Sequence, residues 1–139
     1  MRRCSHVVIM LLMGFALKCA AQLPGYNSHP EFDPTIQGVS LIQLIANPQA
    51  FDGKKVQFIG FLNLEFEGDA VYLHTEDFQN GISRNAIWID VPREMTKEQQ
   101  QAVNRHYVIC AGIFHADRHG HLRMFGGDVG EVTRIQGWR

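Results

Sequence analysis

The sequence predicts a mainly β (α+β) fold, a small closed barrel with two short helices. Three observations predict it. From Lys55 onward apolar and polar residues alternate with the two-residue period of strands. Thirteen glycines and nine phenylalanines in 139 residues favour turns and packed strands over long helices. The segments that read as strands come as three, then a polar helix, then two more.

Residues 22–38 hold Pro24, Pro30 and Pro34 without an apolar period, so they read as an extended leader. Residues 39–46 read as a short helix: Ser40 is a natural N-cap, and Leu41, Leu44 and Ile45 share one face. Asn47-Pro48 ends it. Residues 55–67 read as the first strand, with Val56, Phe58, Leu62, Leu64 and Phe66 inward and Ile59 and Phe61 outward. Gly60 sits where a barrel strand must bend. Gly68-Asp69 turns the chain into a second strand, 70–74, with Val71 and Leu73 inward. The polar stretch 75–85 reads as a loop with one helical turn. A third strand, 86–91, points Ile87, Ile89 and Val91 inward and stops at Pro92.

Residues 96–104 read as a helix whose Thr96 and Gln99 have capping-box spacing. Residues 106–116 form the fourth strand. A turn at 117–120 leads to a fifth strand at 121–125, Gly126-Gly127 breaks it, and 129–135 is a further extended segment. This order matches an OB-like Greek-key barrel, whose helix lies between strands three and four. An open antiparallel sheet with helices on one side satisfies the same order. The length suits one domain, 39–139, behind the leader.

The chain begins with the grammar of a cleavable export signal, residues 1–21. Arg2 and Arg3 precede the apolar run Val7 to Leu17, and Cys19, Ala20 and Ala21 offer cleavage after Ala21. As a helix that run rises about 16 Å, half of a bilayer core, which argues against a membrane anchor. A lipoprotein modified at Cys19 is an alternative, opposed by Lys18 where a small residue is expected. Export would place the domain in a periplasm or outside the cell.

Loss of residues 1–21 removes three basic residues and leaves 10 against 14 acidic ones, near −4. That charge argues against a nucleic-acid partner and against an anionic membrane surface. Cys110 then stands alone, which excludes an internal disulfide, and its apolar run marks it as a buried small hydrophobe.

The stretches GKKVQFIGFLNLEFEGDAVYLH, AIWIDV and YVICAGIFHADRHGHLRMFGGDVGEVTRI resemble a family of short exported bacterial proteins. The shared features are the start at Gly53 to Phe61, the turn at Glu65 to Gly68, the His119 to His121 hairpin, and the ending at Thr133 to Ile135. The resemblance covers residues 38–138. It implies an exported barrel domain and carries no activity with it.

Three groups are candidate sites. His115, His119 and His121, with Asp117 among them, lie within seven residues and could converge on zinc or another transition metal across a hairpin. Their spacing is no hydrolase signature, and a polar turn with histidines bonded to backbone accounts for them equally. Phe61, Tyr72, His74, Trp88 and Asp90 face outward on three neighbouring strands, the face on which OB-type barrels bind ligands. Helix 39–46 packing over that face is the structural alternative. Glu65, Glu67, Asp69, Glu76 and Asp77 form an acidic rim without a calcium-loop pattern. No serine sits in a nucleophile setting, and no sequence motif marks a catalytic residue.

The sequence therefore points to a non-enzymatic exported binding domain with a protein or small-ligand partner. A metal-binding protein or metal-dependent enzyme built on the three histidines is the second reading. An immunity-type protective partner of a toxin is the third.

Overall fold

A computed structural model describes residues 23–138, Pro30 apart. Residues 1–21, expected to be an export signal, lie outside the described residues. Seven strands and three short α-helices follow in order: β1 Gly25–Asn27, β2 Gln37–Gly38, α1 Leu41–Ala46, β3 Lys55–Asn63, β4 Ala70–Tyr72, α2 Thr75–Gln79, β5 Ala86–Ile89, α3 Lys97–Val103, β6 Tyr107–His115 and β7 Asp128–Gly137.

Alternation sets the interior. Val56, Phe58 and Leu62 of β3, Ile87 and Ile89 of β5, Val108, Cys110 and Phe114 of β6, and Val129 and Ile135 of β7 share one buried cluster. Each such side chain contributes about 1.5–3 kcal/mol by leaving water. Leu41 and Leu44 of α1 join this cluster, as do Met95 and Val103 of the α3 region.

The sheet closes on itself. β3 pairs antiparallel with β4, and β4 with β5. β5 pairs parallel with β7, β7 antiparallel with β6, and β6 antiparallel with β3. The result is a closed five-strand barrel of OB-like topology. Gly60 allows β3 to change partners: a Cβ there would lie 2.5 Å from Val71 Cγ1 and 2.6 Å from Leu41 Cδ1. The starts of α1 and α3 are capped reciprocally. Ser40 Oγ accepts from Gln43 N–H at 3.2 Å and Gln43 Oε1 from Ser40 N–H at 2.9 Å. Thr96 and Gln99 repeat the pattern at 3.2 and 2.8 Å.

Three expectations need correction. The first strand ends at Asn63 rather than at residue 67, and Phe66 is 92% exposed instead of inward. A turn closed by Gly68 N–H on the Glu65 carbonyl (3.0 Å) breaks the alternation. Residues 121–125 are not a strand: His121–Arg123 is a short 3-10 turn. Gly120, Leu122 and Arg123 have φ of 60°, 50° and 56°, which no strand accommodates, and β7 at 128–137 is the fifth barrel strand. The leader is not a free extension either. β1 pairs with β7 and β2 with β3.

Candidate functional site

Two candidate groups that lie far apart in sequence meet in space. The loop 116–127, between β6 and β7, folds down onto the outer face of β4 and β5. Asp52 Oδ1 fixes its start by accepting from Ala116 N–H (2.8 Å). Gly126 N–H donates to the Ala86 carbonyl and Trp88 N–H to the Gly127 carbonyl, at 2.8 and 3.0 Å, which fix its end. Gly120 lies flat on the Trp88 ring, where a Cβ would come within 2.5 Å of ring carbon. The Phe125 ring meets Trp88 edge-on at 5.3 Å between centroids.

The outer face is therefore a second small core. Phe61 and Tyr72, expected to face solvent, are each only 7% exposed. They pack with Ala70, Ala86 and Phe125, and Phe78 and Trp88 complete the cluster. Phe78 of α2 sits 5.8 Å from Phe61 and 5.5 Å from Tyr72, and the Arg105 guanidinium covers its ring at 4.3 Å. The cover comes from α2 and the 116–127 loop. Helix α1, expected there, sends Leu41 and Leu44 into the main core instead. His74 is exposed at the start of α2, where Asp77 Oδ2 accepts its backbone N–H (3.1 Å).

The structure does not bring the three histidines together. His119 Nδ1 donates to the Phe125 carbonyl at 3.1 Å and so clamps the loop across its own base. His121 Nε2 reaches Glu67 Oε2 at 3.5 Å. His115 stays beside β7. Among the described residues no three histidine, cysteine or acidic side chains stand in an arrangement able to hold a metal ion. The acidic rim is spent on structure: Glu65 faces Arg105 at 3.6 Å, Asp69 Oδ1 accepts from Glu65 N–H, and Asp77 binds Asn85 at 2.7 Å.

Sequence reasoning missed a charged latch at this corner. Arg118, in the loop, holds Asp90 Oδ2 at 2.8 Å and stands 3.0 Å from Asp128 Oδ1. Asp128 is only 3% exposed. The guanidinium is close enough to attract its Oδ1 but is not aligned to donate to it, so that oxygen has no hydrogen bond. Burial pushes the Asp128 carboxyl up to about 6, and the Asp90 carboxylate adds to this, while Arg118 and His115 pull the other way. A Cβ on Gly130 would touch Arg118 Nη1, Asp90 Oδ2 and His115 Nε2 at 3.3–3.4 Å. These three polar side chains thus gather over bare backbone, and Trp88 Nε1 donates to Asp90 Oδ1 at 3.3 Å. The sequence signal was present only as a buried acid after Gly126-Gly127, which reads as a turn.

The other end of this corner is apolar and open. Loop 64–69 meets loop 116–127 at the His121–Glu67 contact. Beside that contact Phe66 is 92% and Leu122 76% exposed, and Met124 is also exposed. Glu67, Leu122 and Arg123 are three of the five non-glycine residues with positive φ among the described residues. Cys110, by contrast, is fully buried, and burial pushes its thiol up to about 12, so it is inert. None of the described helices is long and apolar enough to cross a membrane. Compared with family models, curated proteins and solved structures, the chain matches none of them.

Proposed function

We propose that the chain is an exported, non-enzymatic binding domain of the small exported bacterial family it resembles. It presents the paired loops 64–69 and 116–127 to a protein partner. One observation carries this reading: exposed large apolar side chains and left-handed backbone coincide on two loops that touch. Each positive φ on an L residue costs on the order of 1 kcal/mol, and each exposed ring or aliphatic chain forgoes its burial. The barrel closes without either. Such costs concentrate where a surface is shaped for a contact. Polar groups border the patch: Glu67 and His121, the chain neighbours of Phe66 and Leu122, meet at 3.5 Å between the two loops, in the pattern of an apolar centre with a polar edge.

The reading is tested by placing a photo-crosslinking residue at position 66 or 122 and expressing the chain in its native host. One recurrent protein adduct should form at both positions. Position 42, exposed on α1, should give none. The double change Phe66→Ser and Leu122→Ser should leave the melting curve within about 0.5 kcal/mol of the parent and abolish the adduct formed from a crosslinker at position 124. Equal labelling from position 42, or no discrete adduct from either loop, would remove the basis for the proposal.

A further inference from the structure

Asp128 is buried by a loop and not by the sheet. Its chain neighbour Val129 points into the main core, so alternation aims Asp128 at the outer face of the barrel. Its partners on the flanking strands, Trp88 of β5 and His115 of β6, share that face. A side chain on the outside of a barrel is wet unless something covers it, yet Asp128 is 3% exposed. The cover is loop 116–127. Gly120 lies on the adjoining Trp88 ring, and Arg118 Nη2 stands 3.0 Å from Asp128 Oδ1.

The charges beneath the loop do not balance. Three elements bring charged or titratable groups to Asp128: Asp90 just past β5, His115 on β6 and Arg118 in the loop. One guanidinium nitrogen serves both carboxylates, at 2.8 and 3.0 Å. It donates to Asp90, while Asp128 Oδ1 accepts no hydrogen bond. A charged Asp128 is thus held away from water, short of a donor and beside like charge. Lifting the loop returns water to it and removes the first two of these costs. The loop is lightly tied between its ends. Among the described residues its middle reaches the rest of the chain through Arg118, through the His121–Glu67 contact and through a long 3.5 Å bond from Arg84 Nη1 to the Phe125 carbonyl. The His119 clamp is internal to the loop.

We propose that loop 116–127 is a pH-controlled cover, closed over Trp88 in acid and released increasingly toward neutral pH as Asp128 takes its charge. The direction follows from linkage. The closed loop holds Asp128 at about 6 against an ordinary 3.8, so it binds the proton more tightly than the open loop does. Opening is therefore rarest below about pH 4, rises up to about pH 6 and is level above it. Two units set the ceiling at about a hundredfold. His121 acts in the same sense, because its protonated ring attracts Glu67. The His119 clamp is indifferent, since an imidazolium still donates from Nδ1. Leu122 and Met124 ride on this loop, so control of partner contact rests on the paired-loop reading. The opening itself does not.

Hydrogen exchange of the purified protein, followed by NMR from about pH 4.5 to about pH 7.5, tests this without a partner. Each rate is divided by that of the same group in unstructured peptide at the same pH. The Gly126 N–H, which donates to the Ala86 carbonyl, and the Trp88 indole N–H, which donates to Asp90, report the loop. The Leu62 N–H, bonded to the His106 carbonyl, reports the barrel. The loop groups should open about twenty- to thirtyfold more often at the upper pH. About 1 M urea should leave them unchanged and move Leu62, because a local opening exposes little surface. Asp128→Asn should cut the rise to less than about threefold, the remainder belonging to His121 and Glu67. Asp90→Asn, which removes the like charge, should lower it severalfold and decides if the first variant does not fold. Opening that stays level or falls with pH, a rise that survives Asp128→Asn, or loop groups that follow Leu62 in urea would overturn the proposal. Any of these leaves the crosslinks at 66 and 122 standing, and loss of those crosslinks leaves the opening standing.

Discussion

Replacing Asp128 by Asn should make the protein more stable at neutral pH. The carboxyl is buried, its Oδ1 has no hydrogen bond, and Asp90 adds like charge beside it. Its folded-state value lies at about 6 against an ordinary 3.8. That difference of about two units corresponds to about 3 kcal/mol at about 1.4 kcal/mol per unit. A raised acid value means that the folded state holds the proton more tightly than the unfolded chain does. The penalty is therefore absent below about pH 4, grows as pH rises to about 6, and is constant above that. Asn mimics the protonated form in shape and charge, so it should recover about 1–3 kcal/mol at pH 8, the upper figure if the lost Arg118 attraction is fully replaced. For a domain of this size that is about 4–12 °C in Tm. Urea melts of parent and variant at pH 4, 5, 6 and 8, followed by tryptophan fluorescence, measure it. The two should coincide near pH 4 and diverge through pH 6. A variant less stable at pH 8, or two curves parallel across the whole range, would show that the carboxylate is not held at a desolvation cost.

Glu67→Gly and Leu122→Gly should each raise stability by about 0.5–1 kcal/mol, because glycine adopts positive φ without strain; thermal melts that fall instead would mean the φ values are not strained. Phe61→Ala should cost about 3–5 kcal/mol, the penalty of a buried aromatic, whereas a cost under about 1 kcal/mol by chemical denaturation would place Phe61 on an open face. Gly120→Ala should push the 116–127 loop off Trp88, since its Cβ would overlap the ring. The expected sign is a red-shifted, more readily quenched tryptophan emission, and an unchanged spectrum would contradict the stacking.

The barrel was legible because burial on one side of a strand writes itself as alternation. Val56, Phe58, Leu62, Ile87 and Ile89 were placed inward from that period alone and lie in the core. The pattern misled at Phe66, because nothing in the letters LEFEG shows that Glu67 takes a left-handed turn. The strand expected at 121–125 failed for the same reason. The cover over Phe61 and Tyr72 was invisible for a different one. Phe78 is the single apolar residue of the five-residue helix α2, so no period announces which face it buries. The latch joins Arg118 to Asp90 and Asp128 across three separate segments, a coincidence that only closure of the barrel creates. The histidine cluster shows the converse: proximity in sequence suggested convergence, and the turn geometry sends His119 to the Phe125 carbonyl and His121 to Glu67, away from His115 on β6.

The two shortest strands have a consequence for how this molecule tolerates company. β1 takes over the flank of β7 at residues 134–136, beyond the point where β5 stops, and β2 does the same for β3 at 56–57, where β4 does not reach. Bare flanks of that kind template addition of foreign chains. Five residues thus act as selvedge on the woven sheet, and trimming the chain back to residue 39 would invite the molecules to stitch themselves together.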